Sequence, residues 1–333
     1  MAAVSGTSSS YSVSTGGGNR EDLEDKIHEL FADENYFSST FDKSKASATF
    51  HEWLGDELAA PGANINIEGD EASFSTIANP ARYGNYTQIV KKTFIISGTQ
   101  EVVNKAGRRS EIGRQAVKKM REAANDLEYA MARNQAATAG GTGTGRSMAG
   151  VETWIGCTTA SSTAATQVVL ASSTAAATTP PLASGAPGTA PTDGSTTAAL
   201  TEASLRLALE SNYNQGSTTD VVVVNSTAKN YINDFTGVAQ RNVDVGREQQ
   251  ASITGSADLY VSNYGVHRIR LHRHVRSSVA LCLDSSMWAV GTLRNWTTEP
   301  LAKTGDAEKR QIICEKTLVC RNPRGNSKVV AIA

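Results

Sequence analysis

Residues Ser110–Asn134 read SEIGRQAVKKMREAANDLEYAMARN and decide the fold class. Ile112, Ala116, Met120, Ala123, Leu127 and Met131 recur at spacings of three and four, the period of one helix face. Arg114, Lys118, Lys119, Arg121, Glu122, Asp126 and Glu128 fill the remaining surface. Ser110 is placed as an N-cap. At about 1.5 Å per residue the helix spans roughly 37 Å. That is long for one side of a compact domain and suits a strut.

Working outward, Ala136–Gly150 is rich in Gly, Thr and Ala and ends the helix. Upstream, Ala46–Leu54 and Tyr86–Ser97 read as extended. The intervening Glu57–Asn85 carries Pro61, Gly62, Gly69, Pro80 and Gly84, all turn or edge signals. The simplest object is a long two-stranded excursion with an irregular tip. Two strands alone are marginal in water, and the sparse apolar content points to a neighbouring molecule as their support. Further upstream, Arg20–Phe31 places Leu23, Ile27, Leu30 and Phe31 at helical spacing. Met1–Gly18 is Ser/Thr/Gly-rich and reads as a mobile arm unless a partner holds it.

Downstream, Thr158–Thr197 is a Ser/Thr/Ala/Pro low-complexity stretch, broken only by Val168–Leu170, and reads as a surface insertion. Leu200–Ser211 and Ser226–Phe235 read as helices. The four valines within Asp220–Asn225 mark a strand buried on both faces. Leu259–Val261, Val266–Val275, Val279–Leu283 and Gln311–Arg321 read as strands. Asn322, Pro323, Gly325 and Asn326 then turn the chain into a last strand, Lys328–Ile332.

Composition removes several function classes. The chain of 333 residues carries 32 basic and 33 acidic side chains, so the excess of positive charge that marks a nucleic-acid binder is missing. Four Cys do not make a disulfide scaffold. The longest apolar runs, Val221–Val224 and Val279–Leu283, are far too short to cross a bilayer, and Met1–Ser10 shows no secretory signal. Only 39% of residues are apolar and 6% aromatic, which is lean for an enzyme core.

Chemistry-bearing patterns are near-misses. Gly140, Gly145, Arg146 and Ser147 approach a phosphate-binding loop, with Arg where Lys is required and without the strand-to-helix setting. Gly145, Ser147 and Ala149 approach a nucleophile elbow, again out of context. A Gly-rich hinge explains both. His272 and His274 share one face of a strand, as do Arg268 and Arg270. With no carboxylate or Cys close in sequence, they read as a solvated or inter-subunit basic face rather than a metal site. Cys314 and Cys320 read as buried packing residues. No catalytic, cofactor-binding or metal-ligating residue is expected.

The order of elements, and local blocks within it, resemble a tailed-bacteriophage major capsid protein with the Hong Kong 97-like fold. The blocks run through Asn85, Thr87, Gln88, Ile89 and Ile96–Thr99, then Gly107, Arg108, Glu111, Gln115, Lys118, Leu127 and Glu128. Arg146, Met148–Gly150, Trp154, Asp284, Trp288, Leu301–Asp306, Lys309 and Arg310 complete them. The resemblance implies an α+β fold. Residues 1–45 would be an N-terminal arm and 46–98 an extended loop (E-loop) lying over a neighbour. Residues 99–150 plus about 256–321 would form a peripheral domain with spine helix 110–134. Residues 151–255 plus 322–333 would form an axial domain bearing the insertion 158–197.

The implied function is self-assembly, through hexamers and pentamers, into an icosahedral or prolate head shell around packaged double-stranded DNA, touched only non-specifically. Further implied partners are a portal protein at one vertex, a separate scaffolding protein or none, since the stretch before the first helix is short for a built-in one, and decoration proteins. No membrane is involved, and the protein would reside in the virion and, during assembly, in the host cytoplasm. Lys91 and Lys92 lie in the excursion, but no pattern secures a crosslink. Competing readings are an encapsulin-type compartment shell, a secreted adhesin suggested by the sequons at Asn85, Asn225 and Asn295, and a nucleotide-dependent enzyme suggested only by Gly140–Ser147.

Overall fold

The computed structural model describes residues 34–155, 197–235 and 258–333, except 57, 59, 60, 73, 75 and 78, together with 24, 26–30, 168–169 and 190. The element order is α1 (Tyr36–Thr40), β1 (Asp42–Lys45), β2 (Phe50–Gly55), β3 (Ala81–Tyr86), β4 (Gln88–Ser97), α2 (Gly98–Val102), α3 (Glu111–Ala132) and α4 (Val151–Trp154). Then follow β5 (Val168–Val169), α5 (Glu202–Asn214), β6 (Val221–Val224), α6 (Ser226–Asn233), β7 (Leu259–Ser262), β8 (Gly265–Leu271), β9 (Ala280–Leu283), β10 (Trp288–Leu301), β11 (Ala307–Cys320) and β12 (Ser327–Val329).

The expected strut is present as α3. Its first turn is capped twice. Ser110 Oγ accepts from Gly113 N–H at 3.2 Å, and Glu101, on α2, accepts from the N–H groups of Glu111 and Ile112 at 3.0 and 3.4 Å. The C-terminal half buries Ala123, Leu127, Ala130 and Met131, whereas Met120, expected on the same face, is exposed.

Two sheets carry the rest. A four-stranded sheet runs β1-β10-β11-β4, with α3 across one side of β4 and β11. A six-stranded sheet runs β5-β12-β9-β6-β8-β7. The all-valine β6 is central, pairing parallel with β8 and antiparallel with β9, and is buried on both faces as its sequence requires. Val221 and Val223 join the core formed with α3, α4, Trp154 and Trp288. Val222 and Val224 join a second core under α5 and α6.

Four expectations change. The excursion's returning strand is Ala81–Tyr86, not Tyr86–Ser97, and β2 pairs with β3 from Phe50↔Tyr86 to Gly55↔Ala81. The Tyr86–Ser97 stretch instead becomes β4 and pairs with β11 across Lys316↔Gln88 to Ala307↔Ser97. The β2–β3 ladder also rests on its own chain: Trp53 Nε1 donates to Cys320 O at 2.7 Å, and the Trp53 and Tyr83 rings pack against Trp154. The ladder is therefore held by its own chain, and large exposed apolar side chains lie in the loop beyond it. Turn signals masked β3, whereas Tyr83 and the following Asn85 are buried.

Second, the long strand β10 was not anticipated. Only its first four residues are buried, and register shifts at Thr292/Arg294 and Arg294/Thr297 break the period of two that would have revealed it. Third, the strands within residues 256–321 divide between the two sheets. β7, β8 and β9 pair with β6 and β12, while β10 and β11 pair with β4.

Fourth, half of the helix expected over Arg20–Phe31 lies outside the described residues, and residues 26–30 within it are not helical. Two anchors tie this part of the chain to α3. Arg114 donates to Glu29 Oε1 from Nε and Nη2 at 3.1 and 2.8 Å, and Phe37 N–H donates to Glu128. Those points on α3 lie roughly 21 Å apart along the helix. Met1–Gly18 lies outside the described residues, as does most of the insertion 158–197. Val168 and Val169 are described and pair antiparallel with Val329 and Lys328 at the edge of the six-stranded sheet.

Candidate assembly surfaces

The sequence near-misses resolve into structural roles. The Gly-rich segment is a small hairpin with bridges Thr138↔Ser147 and Gly141↔Thr144. Gly140 has φ +73°, and a Cβ there would sit 2.9 Å from Arg146 N, so the turn requires glycine. Arg146 is committed to protein, not phosphate. Its guanidinium pairs with buried Glu315, which also accepts from Thr87 Oγ1 at 2.7 Å and Arg294 Nε at 3.1 Å. Ser147 Oγ shares a hydrogen bond with Thr138 Oγ1 at 2.8 Å, so neither a phosphate loop nor a nucleophile elbow is built here.

The two histidines are not a solvated face. β8 ends at Leu271, leaving Arg268 and Arg270 exposed, and His272 turns inward. His272 Nδ1 accepts from His274 N–H at 3.2 Å, so Nε2 carries the proton it offers to Glu128 Oε1 at 3.1 Å. Glu128 also accepts from the N–H groups of Phe37 and Ser38, and the Phe37 ring stacks on His272 at 4.7 Å. His274 reaches Asn125 Oδ1 at 2.9 Å, and burial, followed by the neighbouring His272, holds its pKa below the ordinary value. This buried cluster fixes the root of the N-terminal segment to α3. The clue in sequence was a carboxylate, Glu128, directly beside the apolar Leu127 and three residues before Met131.

Among the described residues no group of three or more His, Cys, Asp or Glu side chains is placed to hold a metal ion. Cys282, Cys314 and Cys320 are buried free thiols; burial pushes Cys282 up to about 12 and Cys314 up to about 11. Lys92 pairs with Asp126 at 2.6 Å across β4 and α3, while Lys91 is exposed. The sequon Asn85 is fully buried, donating to Leu318 O at 2.7 Å and accepting from Ala149 N–H at 2.9 Å, so it cannot carry a glycan in this fold. Asn225 is half-buried and donates to Val275 O, and only Asn295 is exposed.

What remains is surface. Leu58, Ile65, Ile67, Phe74 and Ile77, all in the loop joining β2 to β3, are between 81% and 100% exposed. Burying each would contribute about 1.5–3 kcal/mol. Five such side chains on one loop are an unfilled contact, not scattered surface. A smaller apolar strip, Val117 and Met120, is exposed on α3, and Ile89 and Ile95 are exposed on β4, on the side away from that helix.

A long helix and two sheets, with large apolar side chains left exposed on one loop, suit a subunit that meets copies of itself. The model of the SU10 major capsid protein family matches residues 5–333, and the chain belongs to that family. Members are structural proteins rather than enzymes, and the chain is a subunit of the phage head shell.

The chain is 32% identical over 103 residues to the major capsid protein of Escherichia phage Phieco32, a match spanning 31% of this chain and 29% of that relative. In fold it is similar to the Cyanophage A-1(L) capsid asymmetric unit (TM-score 0.64, 12% identity, 94% of this chain and 97% of that one). It is also similar to a Microbacterium phage Oxtober96 structure (TM-score 0.56, 11% identity, 94% and 96%). A third similar structure is of Phage G gp27 major capsid proteins and gp26 decoration proteins (TM-score 0.50, 12% identity, 100% of both chains). The family match and the buried Asn85 leave the adhesin and nucleotide-enzyme readings without support.

Proposed function

We propose that copies of this chain close into hexamers and pentamers of a Hong Kong 97-like shell around packaged double-stranded DNA. The observation that carries the reading is the loop between Gly55 and Ala81, whose large apolar side chains Leu58, Ile65, Ile67, Phe74 and Ile77 are almost fully exposed. In this reading the loop, with β2 and β3, is the E-loop and lies over a neighbour. The helix α3 is the spine of a peripheral domain built on the four-stranded sheet. The six-stranded sheet with α5 and α6 is the axial domain, so β7–β9 belong there rather than with residues 288–321. The strand pairing of the two sheets supports that boundary. Within the insertion 158–197, β5 lies at the edge of the axial sheet.

Each inter-subunit contact is modest, and many of them add through the closed geometry. A near-neutral total charge suits a wall that neither repels its copies nor clamps DNA. A portal protein, a scaffolding protein and decoration proteins are the partners this reading implies, within the host cytoplasm during assembly and then in the virion. No helix among the described residues is long and apolar enough to cross a membrane.

Electron microscopy of the purified protein under assembly conditions tests the proposal. Closed particles of uniform size are expected; a protein that stays monomeric there and is absent from virions would overturn it.

A further inference from the structure

Where β6, α6 and β8 meet, the surface opens into a cavity of about 1010 Å³. Four cations line it, Lys229, Arg268, Arg270 and Arg273, against two carboxylates, Glu34 and Asp258, an excess of two positive charges. Lys229 is matched, donating to Asp258 Oδ1 at 3.2 Å. Among the described residues Arg268, Arg270 and Arg273 form no ion pair, and Arg270 lays its guanidinium over the Tyr36 ring at 5.3 Å. A net charge of −1 for the whole chain hides this local surplus.

The strands explain why the arginines gather here. β6 and β8 run parallel, from Val221↔Arg268 to Val224↔Leu271. The helix α6 starts at Ser226, directly after β6, so its N-terminus opens at the carboxyl end of the parallel pair, where open α/β sheets receive ligands. Its N-cap, Asn225, makes no side-chain cap and donates its amide to Val275 O at 2.8 Å. Asn225 and Ser226 both line the cavity. Arg268 and Arg270 share one face of β8, roughly 6.6 Å apart along the strand.

We propose that this cavity binds phosphate groups, carried by a nucleic-acid backbone or by a short free phosphate chain. Guanidinium forks match phosphate oxygens two bonds at a time. Gathered in a cleft without counter-charges, they draw an anion more strongly than scattered surface cations do. The volume far exceeds the ~30 Å³ share of a single water, and two arginines a strand step apart can address successive phosphates of one chain. Contacts this few keep binding weak and salt-sensitive, with log K against log salt sloping by roughly −0.9 per phosphate neutralised on duplex DNA. The proposal goes beyond the shell reading and needs no assembled particle, so neither decides the other.

The test uses the full-length subunit in chloride buffer. Fluorescence anisotropy follows a short labelled DNA duplex, and calorimetry follows pyrophosphate. Binding of at least one of them is expected, weakened about tenfold or more by Arg268→Gln with Arg270→Gln, and unchanged by Lys91→Gln at an exposed lysine elsewhere. If DNA binds, the double variant should also flatten the salt slope by about two. Binding of DNA alone assigns the site to a nucleic-acid backbone, and binding of pyrophosphate alone to small phosphates. Binding of neither, or binding that the double variant leaves intact, overturns the proposal.

If the double variant melts early, phenylglyoxal labelling of wild-type protein decides. Arg268, Arg270 and Arg273 should be shielded by saturating DNA or pyrophosphate, as mass spectrometry would read. Three arginines that label equally with and without both probes overturn the proposal. Shielding that appears only on assembly in phosphate-free buffer also overturns it, because a neighbouring copy would then fill the cavity.

Discussion

Replacing Ile65 and Ile67 together by Asp separates what the loop does for the subunit from what it does for the shell. Both side chains are almost fully exposed, at 90% and 81%, so the folded subunit has little to lose. Substitutions at such sites change stability by roughly 0.5 kcal/mol or less. In the shell, two buried isoleucines contribute about 3–6 kcal/mol per subunit contact. That is about two to four decades in the association constant of each contact. Placing two carboxylates in the same seat adds to the loss. The assay pairs a thermal melt of the unassembled subunit with light scattering against protein concentration. An unchanged melt with the assembly threshold raised at least a hundredfold, or out of reach, is expected. A melt lowered by several degrees would show that the loop packs on its own chain. Particles forming at the wild-type concentration would show that it contributes nothing to contacts. Either result refutes the reasoning.

Other outcomes follow from the buried polar sites. Glu128→Ala strips two backbone N–H groups and His272 of their acceptor, and should cost about 3–5 kcal/mol and free α1 in hydrogen exchange, whereas Glu128→Gln should cost less. A Cβ at Gly150 would lie 1.9 Å from Arg133 O, so Gly150→Ala should destabilise by about 1–3 kcal/mol in a denaturant melt. Burial raises the pKa of Cys282, Cys314 and Cys320, so all three should resist maleimide at pH 8 when folded and react on unfolding, as mass spectrometry would read. Burial holds His267 and His274 below the ordinary 6.5, so the neutral form is the folded one. Their contribution is complete above pH 6.5 and is lost as pH falls through the lowered values. Subunit stability should therefore drop on acidification before the carboxylates titrate, and less steeply in His267→Gln.

Legibility in the sequence followed periodicity. The helix α3 could be read because its cap and its helical period run unbroken, and the strand Val221–Val224 because it is buried on both faces. The strand β10 could not, because its buried first residues give way to an exposed, twice-shifted run ending in Thr297, Thr298, Glu299 and Pro300. The pairing of β4 with β11 was hidden for another reason: partners more than 200 residues apart leave no local trace, and adjacency in sequence suggested β2 instead. The clusters around Glu128 and Glu315 escaped because a buried carboxylate looks like a surface one until its donors are placed. The exposed loop was legible in part: turn residues marked it as irregular, but its apolar content reads as sparse in composition, and the five large exposed side chains show only once the loop is placed.

The most direct measurement is a cryo-electron microscopy map of the assembled particle, traced through residues 56–80. The account predicts Leu58, Ile65, Ile67, Phe74 and Ile77 covered by an adjacent copy. A loop folded back onto its own subunit, or standing free in solvent within a closed shell, would contradict it.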